Sequence, residues 1–403
     1  MDTGQSLFAE IRPEQFDLAE LHWLLLQRSR SASQPSPNEV VYRGDLADYT
    51  VKLRLGDAGE VSDILVAPSF KERDALRDQI VSELLTSAGP RIASVILFSD
   101  LPVDGYYKHG TVLQIVPAPR EAPRPKFLLG EHPFLLQFSF PSSTNWAVRK
   151  IRKETRGREI AFVLAGLLAG SVHSLSGGEH HWILHLGKPE GVTSEYLQAG
   201  YVCPGLVDES DAFSPIQNLA ALPQLEPRVY YFRWGLSGES KFEVPTNLSE
   251  LLDGFFKLPS MRRNQFVRAC YWFSLAGQFY VCSRSAAFAA LVSSLEALME
   301  PERNGPACES CGKPAGKSVS QRFMALLDEM APWGPQVAAA RKKLYSVRSA
   351  LLHGARLLPS DYLGLSPGPR LGEEFEDMHH AQCLVRLVLA NWLAKYVRLS
   401  STA

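Results

Sequence analysis

A chain of 403 residues is too long for one ordinary hydrophobic core and suits two domains, or three. With 45% hydrophobic and 21% charged residues it is a folding chain, and a formal net charge of -1 excludes nucleic-acid binding by a global field, leaving only local patches for that role. Six cysteines in this length exclude a disulfide scaffold and suit a reducing compartment.

Taken in chain order, the first residues (MDTGQSLFAEIRPEQ) lack a basic stretch followed by an apolar one, so no secretory signal is expected. Pro13 to Arg30 reads as a helix, with Phe16, Ala19, Leu21, Trp23, Leu24 and Leu26 as its apolar surface and Pro13 suited to the first turn. Ser31 to Asn38 reads as a loop or linker. Tyr49, Val51, Leu53 and Leu55 alternate with polar residues as a strand does, and Val61–Val66, Ile92–Phe98 and Thr111–Val116 are further strands, with a helix over Lys71–Thr86. Leu135–Phe140 and Trp182–Leu186 read as strands around an amphipathic helix, Arg158–Ser174. The longest apolar run, Ile160 to Ala169, falls short of the ~18 residues a spanning helix needs, so a cytoplasmic protein with no membrane contact is expected.

Prolines between Pro204 and Pro227 mark a boundary, beyond which helices are expected at Leu248–Phe256, Arg263–Phe279, Ser285–Glu300, Ser318–Asp328, Pro335–Leu352 and Glu373–Val397. The expected class is α+β. An N-terminal mixed α/β or β-rich domain spans 1–205, with a subdomain break near 125–150, and an all-α bundle spans 206–403 with a cysteine-containing insertion at 301–317.

The most informative stretch is Pro335 to His353. Val337, Ala340, Leu344, Val347 and Leu351 recur at spacings of three and four, giving one buried stripe, and Gly354 suits the position that ends a helix. Arg348 lies beside this stripe and His353 at its terminus. The pair suits metal-independent phosphodiester cleavage: His titrates nearest neutrality and can move a proton, while the Arg fork matches phosphate oxygens. The spacing alone carries little, because a chain of this composition holds about one Arg-x4-His pair by chance.

The surrounding residues carry more. Leu344-Tyr345-Ser346-Val347-Arg348-Ser349-Ala350-Leu351-Leu352-His353-Gly354 resembles the signature helix of Apea-like HEPN proteins. Ser285 to Met299, with Leu-Glu-Ala-Leu at Leu295 to Leu298, resembles the family's earlier helix, and Arg268 to Phe273 fits the helix before it. The resemblance covers roughly 150 residues. It implies a helical bundle that forms a homodimer, placing two Arg-x4-His motifs in one cleft, and a metal-independent endoribonuclease of antiviral defence or a toxin-like response, acting on RNA such as tRNA. Carried over, His353 moves the proton and Arg348 stabilises the phosphorane-like transition state. Glu296 orients the pair or forms a structural salt bridge. Ser349 stands where Asn, Asp or His is common, and Tyr345 is a packing residue.

Other constellations have their own readings. Arg149, Lys150, Arg152 and Lys153 lie in a run with six basic residues in ten, and Arg341, Lys342 and Lys343 precede Arg348; both groups are candidate RNA contacts or solvated helix faces. Cys308 and Cys311 form either half of a structural zinc site, which Cys203, Cys383, His379, His380 or a second subunit would complete, or a reduced, metal-free loop. No cofactor is expected for catalysis. Gly312 to Ser318 imitates a phosphate-binding loop with one residue too few between its glycines. His181 and His185 fall on one side of a strand without a third ligand. The alternatives to an RNA-cleaving effector are a non-catalytic dimerisation, scaffold or nucleic-acid-binding protein and, more remotely, a zinc-dependent hydrolase using the N-terminal histidines.

Overall fold

The computed structural model describes residues 5–7, 16–44, 49–56, 60–67, 70–85, 88–122, 124, 130–174, 179–188, 191–199, 203, 206–231, 241–280, 282–300, 318–332, 335–354, 357–363 and 369–401. The strands are β1 (Gln5–Ser6), β2 (Ser31–Ser36), β3 (Glu39–Arg43), β4 (Thr50–Leu55), β5 (Val61–Val66), β6 (Pro90–Ser99), β7 (Tyr107–His109), β8 (Leu113–Pro117), β9 (His132–Pro141), β10 (Glu179–Lys188), β11 (Gly191–Ala199), β12 (Glu209–Ser210), β13 (Gln224–Leu225) and β14 (Val244–Pro245). The helices are α1 (Leu18–Leu26), α2 (Arg73–Leu85), α3 (Trp146–Leu167), α4 (Pro227–Tyr231), α5 (Leu248–Lys257), α6 (Ser260–Phe279), α7 (Arg284–Leu298), α8 (Val319–Met330), α9 (Pro335–Leu352), α10 (Ser360–Leu363) and α11 (Pro369–Ser401). Strands dominate the N-terminal half and helices the C-terminal half, which is the expected α+β class.

The chain forms two compact units interleaved along the sequence, so no single position parts them, whereas the sequence reading set one boundary at 205–206. The first unit comprises 1–93, 138–158 and 208–213, and the second 94–137, 159–207 and 214–403. Consequently β6, β9 and α3 each contribute residues to both.

The first unit is built on the antiparallel sheet β1-β5-β4-β3-β2. Strand β4 buries Val51 and Leu53, whose alternation fixes which face meets the core. That face packs Leu21, Leu24 and Leu25 of α1 and Leu76, Ile80 and Leu84 of α2. Asp17 caps α1, accepting from Ala19 N at 2.9 Å and Glu20 N at 3.1 Å, so α1 begins at Leu18; Pro13, expected in the first turn, lies outside the described residues. The segment read as a loop at Ser31–Asn38 contains the edge strand β2. All its side chains are exposed, which removes the apolar alternation a sequence reading depends on. The amphipathic helix expected from Arg158 instead begins at Trp146, because Asn145 Oδ1 accepts from Ala147 N and Val148 N, and it ends at Leu167. The hairpin β10–β11 extends beyond the single strand expected there.

In the second unit, α5, α6, α7, α9 and α11 begin within four residues of the expected positions, and α9 has the expected bounds. Apolar packing holds them together. Phe266 of α6 stacks on Trp392 of α11 at 5.5 Å, and Ser294 Oγ of α7 donates to the Ala269 carbonyl of α6 at 2.8 Å. Gly254 lets α5 approach α11, since a Cβ there would collide with Val397.

Candidate active site

Helix α9 folds as its periodicity dictates. Val337, Leu344 and Val347 are buried, and Gly354 adopts φ +66°, a conformation that ends a helix at low cost only for glycine. Gly354 N donates to the Leu351 carbonyl at 3.0 Å, and His353 N to that of Ser349 at 3.3 Å. His353 is therefore the first residue past α9, and it is exposed to solvent.

Arg348 sits in a different environment. Its side chain is only 12% exposed and lies against two other helices. Its Nε donates to Glu296 Oε1 at 2.9 Å, and Nη2 donates to the same oxygen. The guanidinium carbon lies 5.6 Å from the ring centroid of the fully buried Phe323 on α8, a cation–π contact. Among the described residues no hydrogen bond from Nη1 is present.

Glu296 is held by the helix that carries it. Ser283 caps α7 by accepting from Ala286 N at 3.1 Å. Leu295 and Leu298 bury themselves in the bundle and leave Glu296 between them facing Arg348. Tyr345, one turn before Arg348, donates to Ser320 Oγ and packs at 6.1 Å from Phe323. Ser349 is partly buried beside Arg348 and supplies the carbonyl that His353 N bonds.

The basic residues divide by burial. Arg152 is 10% exposed and forms a two-point pair with Glu20 at 2.9 Å, while also donating to the Leu84 carbonyl at 2.5 Å. Lys153 pairs with Asp208, and with Glu209 at 3.3 Å. Arg149 and Lys150 are more exposed and only loosely paired, with Glu209 at 3.7 Å and Glu154 at 3.9 Å. On α9, Arg341 pairs with Asp328 and donates to the Ala331 carbonyl, Lys343 meets Asp377 at 2.9 Å, and Lys342 is exposed.

Cys308 and Cys311 lie outside the described residues. Of the other ligands considered for them, Cys203 is buried, and Cys383 Sγ lies 3.6 Å from His379 Nε2 within α11. Burial pushes the His379 imidazole below its usual range, reinforced by His380 and Arg386. Among the described residues no group of three or more His, Cys, Asp or Glu is arranged to hold a metal ion. Ser318, last residue of the loop imitation, is the N-cap of α8 and forms a reciprocal capping box with Gln321.

Phe323 and Ser320 were not legible as site residues. They lie on α8, some 25 residues from their partners on α9, and only the packing of α7, α8 and α9 brings them together. No protein-family model, curated protein or solved structure matches the chain.

Proposed function

We propose that Arg348 and His353 form a metal-independent ribonuclease site of the HEPN type, in a protein that cleaves RNA as an antiviral or toxin-like effector. The observation that carries this reading is the Arg348 setting. Glu296 and Phe323 fix the guanidinium from one side and leave Nη1 for a phosphate oxygen, and the segment ends in a solvent-accessible His353. A fixed cation aimed at developing charge stabilises a phosphorane-like transition state without reorganising.

In this chemistry the neutral imidazole of His353 takes the proton of a ribose 2′-hydroxyl. The 2′-oxygen forms a bond to phosphorus, the bond to the 5′-oxygen breaks, and that oxygen leaves with a proton from an imidazolium or from water. The products are a 2′,3′-cyclic phosphate and a 5′-hydroxyl. A second copy of the chain supplies the second Arg-x4-His motif in a composite cleft.

The test is His353→Ala in the full chain. Cleavage of an RNA transcript should fall by about 10²- to 10⁴-fold with the folded dimer retained, as expected for loss of a general acid or base. Unchanged cleavage would sink the reading.

One observation favours a second reading, a non-catalytic helical scaffold or nucleic-acid-binding protein. At 12% exposure, Arg348 also serves as a staple between α7 and α9. On that reading no RNA is cleaved under any condition, while Arg348→Ala still destabilises the fold.

A further inference from the structure

Beyond the candidate site in sequence, a short strap at 357–363 packs on α7, the helix whose Glu296 pairs with Arg348. Leu358 is buried, and its N–H donates to Ser285 Oγ at 2.7 Å. Three residues later Asp361 meets the N-terminus of α7 with both carboxylate oxygens. Oδ1 accepts from Arg284 N at 2.8 Å, and Oδ2 accepts from Ser285 N at 2.9 Å and from Ser283 Oγ at 2.9 Å. The first N–H groups of a helix have no partner within it, and the helix dipole favours a negative charge there. Burial works to raise the Asp361 carboxyl, but the Ser285, Ser283 and Arg284 hydrogen bonds outweigh it and hold the group below the usual range.

A second carboxylate closes the strap from the other side. Glu374 of α11 is 5% exposed, accepts from Ser360 N at 3.1 Å and from Ser360 Oγ, and lies 3.4 Å from Arg284 Nη1. The strap is thus tied at Leu358, Ser360 and Asp361. Two of those ties end on the first turn of α7, and the same helix presents Glu296 to Arg348 near its other end.

We propose that Asp361 is a positioning residue for the Arg348–His353 site, tying the strap that leaves His353 to the helix whose Glu296 grips Arg348; this rests on the ribonuclease reading above. The two residues of the motif lie at different depths, one held between helices and the other exposed past a helix end. Helix α9 joins them directly, and the Asp361 tie holds the described chain that next follows His353, from 357 onward, to α7. A misplacement of a reacting group by about 1 Å costs on the order of 100-fold in rate, so the tie bears on chemistry as well as on stability.

The experiment compares wild type, Asp361→Ala, Asp361→Asn and Ser285→Ala in the full chain, at a temperature where each is folded by circular dichroism. RNA cleavage is measured beside the titration of the His353 imidazole by isotope-labelled histidine NMR, the His353 signal being assigned by its loss in His353→Ala. Asp361→Ala should lower kcat by about 10- to 100-fold with KM nearly unchanged. Asp361→Asn, which keeps one acceptor oxygen, should recover part of it. The His353 signal should shift or broaden in the same order. A folded Asp361→Ala with wild-type kcat and an unmoved His353 signal overturns the proposal. If Asp361→Ala does not fold, Asp361→Asn and Ser285→Ala decide, the latter removing a hydroxyl that serves both Leu358 N and the Asp361 carboxylate; wild-type kcat and an unmoved His353 signal in both overturn the proposal. Should wild type cleave no RNA, the ribonuclease reading fails, while the His353 signal still decides whether Asp361 positions that residue.

Discussion

The start of α3 and the end of α9 both present cations to a reader of the sequence, yet the fold uses them differently. On α3 the two innermost cations, Arg152 and Lys153, are 10% and 14% exposed and consumed by carboxylates of their own unit. On α9, Arg348 is equally buried, at 12%, but its pair engages one carboxylate oxygen, and His353 follows it into solvent. The lesson is that a run of basic residues is not an electrostatic surface until its partners are known. An isolated Arg near a helix end, with half its fork committed, makes a better phosphate ligand than a cation saturated by carboxylates.

The comparison can be broken most forcefully at Arg152. Arg152→Ala strands the Glu20 carboxylate, whose pKa burial already raises against the pull of Arg152, and it removes a donor from the Leu84 carbonyl. Breaking a pair this buried should cost about 3 kcal/mol, read as a lower urea midpoint at constant slope, with RNA cleavage per folded molecule unchanged. Weakened RNA binding with full stability would instead make α3 a nucleic-acid surface.

A smaller effect is expected on acidification. The Asp361 pKa lies below its ordinary value, so its contribution is fully present above about pH 4 and is lost as pH falls through the folded value. Wild type should therefore lose about 1 kcal/mol more than Asp361→Asn between pH 5 and pH 2, measured by denaturant melts at each pH. Equal losses would show that the carboxylate charge adds nothing to the tie.

The smallest effect belongs to Lys342, which is exposed and has no ion pair among the described residues. Lys342→Ala should change stability by less than about 0.5 kcal/mol. It should also reduce the slope of log affinity for RNA against log salt by about one, whereas Lys153→Ala should leave that slope unchanged. Equal slopes for both variants would erase the distinction between the two basic segments.

Much of the fold was legible because periodicity survives without partners. The stripe through Val337, Leu344 and Val347 and the closing Gly354 give α9 its bounds, and alternation through Val51 and Leu53 gives β4 its register. Legibility failed where a local partner overrode the pattern. Asn145 starts α3 twelve residues before the expected start at Arg158, and β2 is a strand by hydrogen bonding to β3 alone.

The sequence by itself determined the α+β class, the helix α9, and the placement of Arg348 within that helix and His353 at its end, because each is a consequence of residue order over a few turns. Only the tertiary structure decided that Glu296 and Phe323 meet Arg348, that Arg152 and Lys153 are consumed internally, and that Asp361 caps α7. Those contacts join residues from 25 to more than 130 positions apart, and what brings them together is burial of helix and sheet faces, which depends on area and shape and leaves no periodic trace in the chain.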